Sequence, residues 1–172
     1  MDKLTPNELT FIALANEYCH TVEHMSELAG DDQMHVVAQM LKLLPRLYIT
    51  ASDMEGDSMM MDDAYITPSL EEDVYDIVRQ HIAAVMGDED LYLEVFIEDM
   101  KYSDTPIAAS VSEGLADLYQ EFYNLLHSIE DMPTSTQRDL LALCKGNFAE
   151  YWGQTLTNVL RALHSIYYSL PA

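Results

Sequence analysis

Positive charge is what this 172-residue sequence has least of: eight Lys plus Arg stand against thirty Asp plus Glu, a formal charge of −22. A nucleic-acid binder needs a basic stripe that displaces counterions from phosphates, and here the closest pair of cations is Lys42 and Arg46. The deficit argues against direct nucleic-acid binding and against an anionic membrane surface. Two cysteines, Cys19 and Cys144, are too few for a disulfide framework in a chain of this length. The opening MDKLTPNELT has no basic flank, apolar core or small-residue cleavage site. No run of apolar residues is long enough to span a bilayer. Together these absences predict a cytoplasmic protein. The six glycines are scattered and form no phosphate-cradling loop, and neither Ser110 nor Ser112 lies in a G-x-S-x-G elbow.

What is present is packing material. Hydrophobic residues make up 49% of the chain, with eleven Tyr and eleven Met that fill irregular apolar space. A length of 172 residues fits one helical domain, 1–172, able to bury about 70% of its unfolded surface.

The periodicity is helical almost throughout. Thr5 and Glu8 spell a capping box with Pro6 at the first helical position, opening a helix to Ala29 with Phe11, Leu14, Tyr18, Val22 and Met25 on one face. Asp31 or Asp32 starts a second, whose buried face is read as Met34, Val37, Leu41, Leu44 and Tyr48, kinked or broken at Pro45. The acidic stretch 52–63 reads as a loop. Ser69 and Glu72 suggest another capping box, for a helix with Val74, Ile77, Val78, Ile82 and Val85 inward and Gly87 as its stop. Leu91 to Met100 is ambiguous between strand and helix, and its context favours a short helix. Ser110 with Glu113 opens a helix through Leu115, Leu118, Tyr119, Phe122, Leu125, Leu126 and Ile129.

The longest element runs from Thr134 to Ser169, about 50 Å at 1.5 Å per residue. Its stripe is Leu141, Cys144, Phe148, Trp152, Leu156, Val159, Leu163 and Ile166, and it continues in phase past Gly146, predicting no break. The expected fold is all-α, a single-domain bundle of about five helices with a long C-terminal helix.

Candidate chemistry is sparse. His20, Glu23 and His24 match H-x-x-E-H, in which two histidines one turn apart hold zinc and the glutamate activates its water. No downstream carboxylate ligand accompanies them. Glu17 with His20 forms one E-x-x-H unit, and a di-iron bundle needs a second copy. Asp53, Glu55, Asp57, Asp62 and Asp63 fail the calcium-loop pattern, since Gly56 comes too early and Ala64 replaces the bidentate glutamate. Met54, Met59, Met60 and Met61 are soft copper ligands by type, but read better as apolar cover. Cys19 adjoins His20 on a helix, where neighbours diverge by about 100° and form no nucleophilic pair. On the long helix, Tyr151, Gln154, Asn158, Arg161 and His164 offer a binding surface beside a core Trp152.

Several stretches together resemble a known family: Glu17-Tyr18-Cys19-His20, the run 43–48, the run 102–110, Tyr151-Trp152-Gly153-Gln154, and Ala162-Leu163-His164. They resemble an uncharacterised family of small bacterial proteins, familiar from Bacteroides-type genomes and catalogued as a domain of unknown function. The resemblance covers nearly the whole chain. It implies a bacterial cytoplasmic protein and carries no catalytic residue, cofactor or partner.

The expected function is a non-enzymatic interaction or regulatory protein whose acidic surface steers a basic protein partner, with no cofactor. The rival is a metal-dependent enzyme or metal-binding helical bundle using His20, Glu23 and His24.

Overall fold

A computed structural model of the chain describes residues 3–56, 64–94 and 107–169. Its helices are α1 (Pro6–Glu23), α2 (Met25–Ala29), α3 (Met34–Asp53), α4 (Glu72–Met86), α5 (Val111–Ile129), α6 (Thr134–Asn147) and α7 (Gly153–Tyr168). A short antiparallel pair, β1 (Leu91–Leu93) and β2 (Ala108–Ser110), precedes α5, with Tyr92 opposite Ala109. Among the described residues the fold is all-α apart from that pair. α2 follows α1 across the single residue His24, and one π-helical turn, Phe148–Trp152, joins α6 to α7. Among the described residues the helices therefore make five rods, the last of them the long C-terminal one.

The local chemistry explains most boundaries. Thr5 Oγ1 accepts from the Glu8 amide at 3.1 Å while Glu8 Oε2 accepts from the Thr5 amide at 2.8 Å, so the first capping box forms as read. Gly30 and Gly87 end α2 and α4 at φ of 55° and 57°, a region that costs glycine little. At α5, Ser110 caps the Glu113 amide, and Asp90 adds a second clamp. Its two carboxylate oxygens accept from the Ser112 amide and hydroxyl, each at 2.7 Å.

Four readings of the sequence need correction. The expected first helix breaks at His24, whose backbone leaves the helical region. The Ser69–Glu72 capping box does not form, because the chain before α4 is tied to α5. There Ser128 Oγ accepts from the Thr67 amide and Asn124 Oδ1 from the Leu70 amide, so α4 starts at Glu72. Leu91–Leu93 is a strand, whose alternation places Tyr92 inward and the two leucines outward; positions 95–100 of that stretch lie outside the described residues. Finally, Tyr48, Val74 and Ile77 are exposed. The buried face of α3 is Val36, Val37, Met40, Leu43, Leu44 and Leu47, which keeps Val37 and Leu44 of the expected stripe and leaves Met34 and Leu41 half-buried, and α4 buries Ile82 and Met86. α3 runs unbroken through Pro45. The acidic-loop readings at positions 57 and 59–63 fall outside the described residues.

α1, α3, α7 and α5 form a ring in which each packs on the next, with α4 against α5 and α2. Their apolar stripes meet in one core. At its centre Trp152, 2% exposed, stacks on Phe11 and meets Phe122 edge to face, with centroids 6.1 and 5.1 Å away. Its indole donates to the Cys144 carbonyl at 3.1 Å. Tyr18, fully buried, donates its hydroxyl to the Leu115 carbonyl at 2.6 Å, tying α1 to α5.

Candidate functional site

Burial pushes the Cys19 thiol up to about 12, with Glu23 adding to the effect, and burial raises Cys144 as well, so neither supplies a thiolate near neutrality. The His20 and His24 rings pack at a tilt of 33° with centroids 4.2 Å apart, and His24 Nδ1 lies 2.9 Å from the His20 carbonyl oxygen. Glu23 accepts from the Tyr119 hydroxyl at 2.7 Å, which fixes it to α5. Among the described residues no group of three or more His, Cys, Asp and Glu is placed to hold a metal ion. His20 and Glu23 instead border a groove of about 930 Å³ that α1 shares with Tyr123, His127 and Glu130 of the α5 end.

A row of carboxylates does stand out. Glu113, Asp117 and Glu121 follow one another at steps of four along α5, so they share one face. Burial raises the carboxyls of Asp117 and Glu121; each also feels the carboxylate one turn before it, while hydrogen bonds from Tyr75 and Asn147 oppose the rise. Neutral donors hold this region. The Tyr75 hydroxyl donates to Asp117 Oδ1 at 2.5 Å, and the Tyr92 hydroxyl donates to Glu94 Oε1 at 3.3 Å. Burial raises both phenols, and the partner carboxylates raise them further. Between β1–β2, α5 and α7 lies a cleft of about 270 Å³ lined by Tyr92, Glu94, Glu113, Asp117, Thr155 and Asn158, among others.

The five residues singled out on the long helix separate into two groups. Asn158 turns into the cleft, donating to Glu94 Oε1 at 3.2 Å, and Gln154 donates to Asn158 Oδ1 at 2.9 Å. Tyr151, Arg161 and His164 remain at the surface, where His164 packs on Tyr168 with centroids 4.7 Å apart. Beside α7 the fold sets α3, whose exposed Lys42, Arg46, Tyr48 and Ile49 were not read as part of any site. Nothing in the sequence signals that adjacency, because residues 54–152 separate the helices. The carboxylate row was legible as an i, i+4, i+8 pattern, whereas its partners Tyr75, Tyr92 and Glu94 come from other elements.

Against this geometry the chain was compared with known proteins. None of the curated proteins matches it. Among solved structures it is similar to the crystal structure of protein BF1032 from Bacteroides fragilis, at 29% identity over 97% of this chain and 96% of that one, with a TM-score of 0.80. A family model described as a domain of unknown function, DUF5063, matches residues 2–169, and with nearly its whole length covered the chain belongs to that family.

Proposed function

We propose that the protein is a non-enzymatic interaction or regulatory protein of the cytoplasm, whose acidic α4–α5 side receives a basic protein partner. One observation carries the reading. The adjacent helices α4 and α5 hold Glu72, Asp73, Asp76, Glu113, Asp117 and Glu121 against the single cation Arg79. The one ion pair among the described residues, Glu8 with Arg138 at 3.8 Å, lies elsewhere. A carboxylate field that internal cations do not neutralise raises the encounter rate with a cationic surface and weakens as salt rises. The protonated thiols fit a role without catalysis.

The test is capture of partners on immobilised protein at low and at raised salt. A basic protein should be retained at low salt, released as salt rises, and lost when Glu72 and Asp76 are replaced by lysine. If nothing basic is retained, or if retention ignores both salt and these substitutions, the proposal fails.

A further inference from the structure

We infer that the α3–α7 face is a docking surface of opposite character, which takes an acidic segment of a partner protein anchored by an apolar side chain. This goes beyond the proposed function, since it concerns another face and another partner chemistry.

Charge and shape agree there. α3 and α7 pack side by side, and their 20 and 16 residues contain Lys42, Arg46 and Arg161 against one carboxylate, Asp53. Those two helices are net +2 in a chain of net −22. Between them lies a groove of about 220 Å³ lined by Pro45, Tyr48, Ile49, Leu156, Thr157 and Leu160, able to seat a leucine or phenylalanine side chain. Ile49 is 57% exposed and Tyr48 40% exposed, so the groove has an apolar rim open to solvent. Arg46 adjoins Pro45, Lys42 lies one turn before it, and Arg161 adjoins Leu160; all three are exposed. Tyr48 is braced from behind by Phe148, centroids 4.9 Å apart, so this rim residue is held in place. A fixed aromatic beside an apolar slot, flanked by arginines, is the composition in which binding energy concentrates. It suits an amphipathic helix laid in a groove with its carboxylates on the flanking cations.

Other occupants fit less well. Two copies docking symmetrically through this face would set Lys42, Arg46 and Arg161 of each against those of the other. A nucleic acid would set charged phosphates over the apolar slot between Pro45, Ile49 and Leu160 and offer it no aliphatic side chain.

The experiment uses two fluorescein-labelled amphipathic peptides with leucines at identical helical spacing, one with glutamate and one with lysine at the polar positions, titrated onto the full chain by anisotropy. The glutamate peptide should bind saturably, and Ile49→Glu or Arg161→Glu should each weaken it about tenfold or more. The lysine peptide, drawn to the α4–α5 carboxylates, should be indifferent to both substitutions and sensitive to Glu72→Lys. All three sites are exposed, and circular dichroism checks that the variants keep their helicity. Absence of saturable glutamate-peptide binding, or binding that ignores the α3–α7 substitutions, overturns the inference. So does competition by a single-stranded oligonucleotide, which would assign the face to nucleic acid, or self-association in sedimentation that Ile49→Glu abolishes, which would assign it to a second copy. Failure of either peptide leaves the reading of the other face untouched.

Discussion

At the scale of single residues, three of the described carboxylates are held by phenol hydroxyls. Asp117, Glu94 and Glu23 accept from Tyr75, Tyr92 and Tyr119, two of these bonds linking different helices. A phenol gives a carboxylate a hydrogen bond without a counter-charge, so part of the burial cost stays uncompensated. For Asp117 and Glu121 the folded carboxyl is raised above its unfolded value. Their contribution to stability is therefore full below the unfolded pKa and is lost as pH rises through the folded one. Asp117→Asn keeps an acceptor for Tyr75 and removes the charge. It should raise the melting temperature at pH 7 by about 2–4 °C, no more than about 1 kcal/mol after solvent screening, and the gain should vanish near pH 4. Melting curves at both pH values check this, and a less stable variant at pH 7 would show that the Tyr75 bond depends on the charge. Residue-level signals with a local mechanism were legible in the sequence, as at Thr5–Glu8 and at Gly30 and Gly87. Asp90 was not, because its partner Ser112 lies 22 residues away.

Among the elements, the last rod is the most informative. From Cys144 its apolar positions advance by three consecutive steps of four, to Phe148, Trp152 and Leu156, and all four are buried. A regular α-helix would drift about 40° per step. The π turn at Phe148–Trp152 absorbs that drift, with the Gly153 amide donating to the Phe148 carbonyl five residues back. The absence of a break at Gly146 could be read from phase; the wide turn was written in the same spacing but looked like ordinary helical periodicity. Gly153 is required by this geometry. A Cβ there would meet the Phe148 carbonyl oxygen at 2.6 Å and its ring at 2.9 Å. Gly153→Ala should therefore cost about 1–3 kcal/mol in chemical denaturation, the range of overpacked sites, and equal or greater stability would refute the account. The strand at Leu91–Leu93 was missed for a different reason: it has only three residues, and its register comes from β2 fifteen or more positions later.

For the molecule as a whole, composition states the net charge and says nothing of its distribution. The fold collects six carboxylates on α4–α5 and three of the few cations on α3–α7. With one ion pair among the described residues, added salt screens far more repulsion than attraction. Raising sodium chloride from about 20 to about 300 mM, which shortens the Debye length roughly fourfold, should raise the melting temperature, and a fall would mean that attractive pairs dominate. The polarity of the two faces also depends on how α7 is turned about its own axis. The wide turn holds one residue more than an α-helical course would use, an angular offset of about 100° between the two halves of the rod. That offset acts as a clocking element on a shaft: it aims Leu156, Val159 and Leu163 at the core and, by the same rotation, presents Arg161 beside α3. Removing one residue from the turn would mis-time both together, so the basic face is locked to the core, and the orientation of the surface is inherited from the packing beneath it.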